Sequence, residues 1–137
     1  MRAWTLGSGS KGNSILLECD GTRVLIDAGF PPRALAHRLA SAHVAPESIS
    51  AVIVTHEHID HMKGVSAAQR RWNWQVYGSA GTIAAIADLD AQRCTALRSG
   101  APFTIGALQF ELVRPAFISL RKPSRKSRNS GLAELAL

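Results

Sequence analysis

Three of the five histidines fall within six residues, in the run His56-Glu57-His58-Ile59-Asp60-His61. Imidazole nitrogens and carboxylate oxygens are the donors that zinc and similar cations take from proteins. His56 and His58 are two residues apart in an extended stretch and can point the same way, whereas Asp60 and His61 lie on the following bend. The spacing predicts a two-metal site, in which paired ions share a nucleophilic water.

Two other interpretations of this run are weaker. A zinc protease of the HExxH type needs a second histidine at position 60, and the chain has Asp60 there. A polar turn whose histidines only cap or face solvent is the simplest alternative, but the preceding apolar run makes it unattractive. His37 and His43 are expected to be ordinary polar positions around a helix.

A glycine-rich segment near the N-terminus, residues 7–12, matches the letters GxGxxG, and Asp27 follows at a plausible distance. Dinucleotide binding requires a helix to begin at such a loop, because the helix N-terminus holds the pyrophosphate. The sequence instead predicts a strand and a tight hairpin at Asp20-Gly21. A phosphate-binding Walker loop also fails, since Asn13 follows Gly12 where lysine is required. We therefore expect a tight connection between strands, with positive φ angles at glycine.

The elements that must position these residues alternate along the chain. Residues 51–55, directly before the histidine run, are apolar and rich in β-branched side chains, which is typical of a strand buried on both faces. This mixture of hairpins and helix-linked strands predicts an α/β (α+β layered) architecture. The predicted strands are 2–6, 14–19, 22–27, 51–55, 75–77, 103–105 and 108–113, and the predicted helices are 31–42, 65–72 and 82–89.

The chain has 137 residues, of which 46% are hydrophobic and 19% charged, so one compact domain with a packed core is expected. No apolar run approaches the roughly 20 residues of a membrane helix, and glycine and serine come too early for a signal peptide. Cys19 and Cys94 lie far apart without metal or redox spacing, which predicts thiols in a reducing compartment. We expect a cytoplasmic protein of bacterial type that does not contact a membrane.

Positive charge is concentrated at the C-terminus. Residues 1–112 carry ten basic and nine acidic side chains, whereas residues 113–137 carry six basic side chains and one acid. Residues 121–130 contain no hydrophobic side chain and cannot offset their ordering entropy, so we predict a basic, disordered tail over residues 116–137. One hypothesis is an aberrant, out-of-frame end. The other is a genuine extension that contacts nucleic-acid phosphates.

The run from Thr55 to His61 resembles the THxHxDH signature of the metallo-β-lactamase-fold hydrolases. Residues 24–29 (Val-Leu-Ile-Asp-Ala-Gly) resemble the motif that precedes it in that family, and residues 6–14 (Leu-Gly-Ser-Gly-Ser-Lys-Gly-Asn-Ser) are similar to its WalJ/YycJ-like branch. That branch comprises cytoplasmic bacterial proteins associated with nuclease or phosphodiester hydrolysis. The resemblance covers about residues 2–115, and the histidine run is its most specific part.

The resemblance implies an αββα sandwich with a dinuclear site at its edge, of which residues 1–115 form the N-terminal half as a partial domain. It assigns His56 and His58 to the first metal and Asp60 and His61 to the second. Asp60 is also expected to act in catalysis, by holding or accepting a proton of the bridging water. Asp27, and Thr55 beside the histidines, are expected to support the ligands from behind. Two zinc ions are the expected cofactors, with manganese as the alternative.

The family uses further histidine and aspartate ligands that this chain lacks, since no histidine follows His61. Each ion would keep two protein ligands, whereas a catalytic zinc ordinarily has three. We therefore expect a truncated metal-dependent hydrolase, weak or inactive, that acts on nucleic acid or another phosphodiester. The alternatives are a non-catalytic metal- or nucleic-acid-binding fragment and a thioester or lactam hydrolase of the same fold. Self-association is expected through a sheet face left without its partner layer.

Overall fold

The computed structural model describes residues 1–114, 117–121 and 133–136, which form ten strands, four α-helices and two short 3-10 helices. The strands are β1 (Arg2–Gly7), β2 (Ser14–Cys19), β3 (Thr22–Ile26), β4 (Ala51–Ile53), β5 (Gln75–Ser79), β6 (Cys94–Leu97), β7 (Pro102–Ile105), β8 (Leu108–Arg114), β9 (Phe117–Arg121) and β10 (Ala133–Ala136). The helices are α1 (Pro32–Ser41), α2 (Ile59–Met62), α3 (Val65–Trp72) and α4 (Ala80–Ala85).

A six-stranded sheet in the order β1-β2-β3-β4-β5-β6 forms the centre of the molecule. Strands β1 to β3 are antiparallel, and β3 to β6 run parallel to one another. The predicted hairpin joins β2 to β3, with φ angles of 47° at Asp20 and 82° at Gly21. Both central residues of a type I′ turn need positive φ, and Asp-Gly is a favoured pair for it. The glycine loop leads into strand β2, as predicted.

A second sheet, in the order β10-β9-β8-β7, packs on one face of the first. Inward side chains of both sheets form one buried cluster, in which Leu108 and Val24 are fully buried. The opposite face of the six-stranded sheet is covered by α1, α3 and the segment after α4, through a cluster that includes Leu35, Leu39 and Trp74. Alternation of apolar and polar residues along β8 fits a strand with one buried face.

The layered α/β prediction is confirmed, and the described residues form three layers: helices, six-stranded sheet and four-stranded sheet. None of the described helices covers the outer side of the second sheet, the position of the fourth layer in the predicted sandwich. The sequence predicted that one sheet face would lack its partner layer. For the six-stranded sheet this prediction is wrong, because the four-stranded sheet packs on that face. Self-association stays a prediction. No helix in the described ranges is long and apolar enough to cross a membrane.

Three local expectations differ from the structure. The helix predicted at 82–89 occupies Ala80–Ala85, because Ser79 caps its first turn by accepting a hydrogen bond from the Thr82 N–H group at 3.1 Å. Strand β6 was not predicted at all. The disordered tail was predicted to begin at residue 116. This start is wrong, because Phe117–Arg121 pairs with β8 and Ala133–Ala136 pairs with β9. Residues 122–132 lie outside the described ranges, so their predicted disorder stays a prediction.

Candidate metal centre

The predicted ligand run begins where two neighbouring parallel strands end. Strands β3 and β4 pair with Ile26 opposite Ile53, so Asp27 and the segment from Val54 onward leave the sheet side by side. The carboxyl ends of parallel strands form the edge where α/β proteins place ligand sites. This topology brings the predicted supporting residues, Asp27 and Thr55, to the base of the site.

Asp27 is the buried centre of the hydrogen-bond network. It is 1% exposed and has a left-handed backbone with φ of 63°, which is uncommon outside glycine. Its Oδ1 accepts the Thr55 N–H at 2.8 Å, and its Oδ2 accepts the Thr55 hydroxyl at 2.7 Å. His61 Nδ1 lies 2.7 Å from the same Oδ2. Burial raises the pKa of Asp27, and these hydrogen bonds oppose the rise.

This network fixes the two histidines nearest to Asp27. His61 points Nδ1 at the Asp27 carboxylate, which leaves Nε2 for a cation, as carboxylate–histidine pairs do in metal sites. The Thr55 hydroxyl donates its one proton to Asp27, so the His56 Nδ1, 2.9 Å from that hydroxyl oxygen, carries hydrogen and donates it. His56 therefore keeps a free lone pair on Nε2.

The three imidazoles of the run lie close together. The ring centre of His56 lies 4.8 Å from that of His58 and 3.8 Å from that of His61. Burial is the main cause that lowers the pKa of His56, and the neighbouring His61 lowers it further. A lowered pKa favours the neutral imidazole, which is the form that binds a metal ion.

Asp60 and His61 lie on the one-turn helix α2, which two main-chain hydrogen bonds fasten to the sheet edge. The Asn13 N–H donates to the Asp60 carbonyl at 2.7 Å, and the Ala28 N–H donates to the His61 carbonyl at 2.9 Å. A Cβ atom on Gly29 would lie 1.8 Å from the Asp60 carbonyl oxygen, so only glycine allows this approach. The Asp60 Oδ2 atom lies 3.6 Å from His61 Nε2.

Sequence reasoning missed two residues that contact the ligand run. Asn13 belongs to the glycine-rich segment that carries the resemblance, but the sequence assigned it no role at the site, and its Nδ2 lies 3.1 Å from the Asp60 Oδ2. The Glu57 carboxylate accepts a hydrogen bond from the Thr82 hydroxyl at 3.0 Å and so fastens the ligand run to α4. Nothing in the sequence pointed to Thr82, or to the contact between Asn13 and Asp60, which are 47 positions apart.

The four predicted ligands have the donor chemistry of a divalent-cation site, and Asp27 and Thr55 orient two of the imidazoles toward it. Within the described ranges, however, no three histidine, cysteine or acidic side chains form a group that could hold a single metal ion. The predicted pairing of His56 with His58 and of Asp60 with His61 stays a prediction. A cavity of about 220 Å³ opens behind His61, lined by Asp27, Asn13 and the glycine loop.

Comparison with known proteins places this geometry in a family. The family model described as "Metallo-beta-lactamase superfamily" matches residues 7–128. The exodeoxyribonuclease WalJ of Streptococcus pneumoniae serotype 2 (strain D39 / NCTC 7466) is 38% identical over 74 residues, which are 54% of this chain and 28% of that protein. The exodeoxyribonuclease YycJ of Bacillus anthracis is 35% identical, with the same coverage of both chains.

Solved structures agree on the fold. The structure titled "Rm3 metallo-beta-lactamase" superposes with a TM-score of 0.73 at 19% identity, over 95% of this chain and 57% of that one. The matched part of the chain covers a little over a quarter of the length of these curated relatives. This fold family implies binding of a divalent metal. Because the family model covers most of the sequence, the chain belongs to the metallo-beta-lactamase superfamily.

Proposed function

We propose that this chain carries part of the active site of a metal-dependent phosphodiesterase that acts on DNA, as an exodeoxyribonuclease does. The observation that carries the proposal is the pair formed by His61 and Asp60, with His61 held through Nδ1 by buried Asp27. The curated relatives are exodeoxyribonucleases, which favours a nucleic-acid substrate over a lactam or thioester. The solved lactamases, at 19% identity or below, support the fold alone.

In this proposal His56 and His58 hold one divalent ion, and Asp60 and His61 hold the other. Zinc is the proposed metal and manganese the alternative, because both accept imidazole and carboxylate donors. When bound, such ions lower the pKa of water toward about 7 and stabilise the charge that develops on a phosphate. Asp60 holds or accepts a proton of the attacking water, and Asp27 keeps the His61 ring in place.

Two protein donors per ion leave the remaining coordination positions to water or to groups outside the described ranges. Zinc enzymes ordinarily supply three protein ligands, so we expect weak metal retention. After dialysis the purified chain should contain less than one equivalent of metal, measured by elemental analysis. Two equivalents retained after dialysis would contradict this expectation.

The activity is tested with end-labelled single- and double-stranded DNA in the presence of Mn²⁺ or Zn²⁺. The variants are His58→Ala and Asp60→Asn, and His37→Ala on the exposed surface of α1 is the matched histidine control. We expect the first two variants to reduce cleavage at least about 10-fold, as loss of a metal ligand or an acid–base group does, and the control to match the parent. Equal cleavage by the parent and His58→Ala would overturn the proposal.

A β-lactam and a thioester serve as comparison substrates in the same assay. Faster, metal-dependent turnover of either one would replace the phosphodiesterase proposal by a hydrolase of another substrate class. Metal and DNA binding with no turnover of any substrate would instead favour the non-catalytic binding fragment.

We also propose a cytoplasmic location for the protein. Cys19 and Cys94 are both free thiols, which a reducing compartment maintains. Expression of a tagged full chain followed by cell fractionation tests this location, and recovery outside the cytoplasm would contradict it.

A further inference from the structure

Asn13 connects the glycine loop to the acidic ligand of the proposed metal site. Its side-chain amide spans the loop, because its Oδ1 accepts the Gly9 N–H at 3.1 Å and its Nδ2 donates to the Gly9 carbonyl at 2.8 Å. The same Nδ2 lies 3.1 Å from Asp60 Oδ2 and 3.2 Å from the Asp60 carbonyl oxygen. One amide group therefore contacts both the glycine loop and helix α2.

The surrounding groups fix which end of the amide faces Asp60. Three oxygen atoms, two from Asp60 and one from Gly9, surround Nδ2, and a backbone N–H faces Oδ1. The reverse orientation would set an acceptor against three acceptors and a donor against a donor. The Asp60 carboxylate thus receives a hydrogen bond on Oδ2, while no described group donates a hydrogen bond to its Oδ1.

We propose that Asn13 is a positioning residue for Asp60: its amide holds the carboxylate by Oδ2, the oxygen that lies 3.6 Å from His61 Nε2, and so keeps the carboxylate turned toward the cation that Asp60 and His61 would share. This inference rests on the proposed function, because it assumes that Asp60 is a ligand. Hydrogen bonds to a charged partner are stronger than neutral ones, so a single amide can restrict this carboxylate. Groups that orient metal ligands typically change metal affinity by about 10- to 100-fold.

The alternative role for Asn13 is only to close the glycine loop. The two roles differ in what Asn13→Ala changes, because the main-chain bond from the Asn13 N–H to the Asp60 carbonyl survives the substitution. A residue that only closes the loop would alter stability and leave cation affinity unchanged. A positioning residue would weaken cation affinity through the Asp60 carboxylate.

The first experiment measures Co²⁺ affinity of the full chain by calorimetry and by its visible absorption. We expect Asn13→Ala to weaken Co²⁺ binding roughly 10-fold or more, and Ser10→Ala, an exposed change in the same loop, to leave it unchanged. In an Asp60→Asn background, Asn13→Ala should cause no further loss. Unchanged affinity for Asn13→Ala, or an equal loss in both backgrounds, would overturn the proposal.

The second experiment separates this proposal from the proposed function by using metal-free protein. The His61 and Met62 amides both donate to the His58 carbonyl, at 2.9 Å and 3.1 Å, so their hydrogen exchange reports on α2. Asn13→Ala should accelerate exchange at these amides, and Ser10→Ala should not. If the parent binds no Co²⁺ in a His61-dependent way, the proposed function and the positioning role both fail, whereas unchanged exchange and affinity in Asn13→Ala refute only the positioning role.

Discussion

The two halves of the candidate metal centre are held in different ways. His61 is 9% exposed, its ring is bonded to buried Asp27, and the carbonyl groups of both Asp60 and His61 accept main-chain hydrogen bonds. His58 is exposed, and its ring makes no hydrogen bond to the described part of the chain. His56 is intermediate, since among the described residues only the Thr55 hydroxyl is within hydrogen-bond distance of its ring.

This contrast indicates that the fold fixes Asp60 and His61 more firmly than His56 and His58. Preorganised ligands bind more tightly because their freedom is already lost before the ion arrives. We therefore expect the Asp60–His61 pair to take the first cation and the His56–His58 pair the second. The predictions below test whether support from the fold is confined to the first pair.

Removal of the Asp27 carboxylate should have the largest effect on the stability of the fold. Asp27→Ala leaves the His61 ring and the Thr55 N–H and hydroxyl groups without their buried partner. Breaking such a buried pair costs about 3–5 kcal/mol in the free energy of unfolding, which chemical denaturation measures. Asp27→Asn retains size and one acceptor and should lose less. Surface substitutions usually change the free energy of unfolding by less than about 0.5 kcal/mol. A change this small for Asp27→Ala would show that the hydrogen-bond network does not support Asp60 and His61.

Gly29→Ala should have the second largest effect, because its Cβ would lie 1.8 Å from the Asp60 carbonyl oxygen. Helix α2 must move to accommodate it, and overpacking of this kind costs about 1–3 kcal/mol. Gly81→Ala is the matched control, since nothing lies within 4 Å of the added methyl group in helix α4. The control should gain about 0.5–1 kcal/mol through helix propensity. Similar unfolding curves for the two variants would contradict the close approach.

Much of the fold was visible in the sequence wherever a local pattern decides the structure. An apolar run predicted strand β2, the segments on either side of Gly106-Ala107 were predicted as paired strands, and the Asp20-Gly21 pair predicted a hairpin. Residues 65–72 were predicted as the helix that the structure contains. Strand β6 was missed because only pairing with β5 makes it a strand. Phe117–Arg121 was assigned to the tail because the polar composition of the residues that follow decided the prediction. Its strand structure depends on pairing with β8, which is distant information that the local sequence does not contain.

The donor residues and two of their supports, Asp27 and Thr55, could be proposed from the sequence, whereas the contact that Asn13 makes could not. The spacing from His56 to His61 was enough to propose the donors, because adjacent residues are neighbours in any fold. The contact between Asn13 and Asp60 joins residues 47 positions apart, so it exists only once β2 and α2 meet at the sheet edge. The left-handed backbone at Asp27 likewise follows from the junction of β3 with its neighbours, not from local preference.

Substitution of Glu18, which lies outside the site, should have a smaller effect on stability, and this effect should depend on pH. Glu18 lies on β2 between Arg2 and Arg23 on the flanking strands. Hydrogen bonds from Arg23 and then Arg2 hold the pKa of Glu18 below its ordinary value of 4.5. Because the folded pKa is lowered, the stabilisation is present above about pH 4.5 and is lost as the pH falls through the folded value.

We therefore expect Glu18→Gln to lower the thermal midpoint slightly at pH 7 and to approach the parent as the pH is lowered to 3, in melting curves followed by circular dichroism. Asp27→Ala should remain destabilised at both pH values, because its loss includes hydrogen bonds to Thr55 that do not depend on a charged partner. A pH-independent loss in Glu18→Gln would show that packing, and not charge, is its contribution.

His58→Ala should have the smallest effect on stability, and it tests the other side of the comparison. The ring is exposed and is not bonded to the described chain, so the free energy of unfolding should change by no more than about 0.5 kcal/mol without metal. With metal, the same variant should retain the first Co²⁺ and lose the second, whereas His61→Ala should weaken the first. Two results would contradict this expectation: loss of the first ion in His58→Ala, or destabilisation of the metal-free chain as large as that of Gly29→Ala. Either result would show that the fold also holds His56 and His58. The asymmetry between the two pairs would then be wrong.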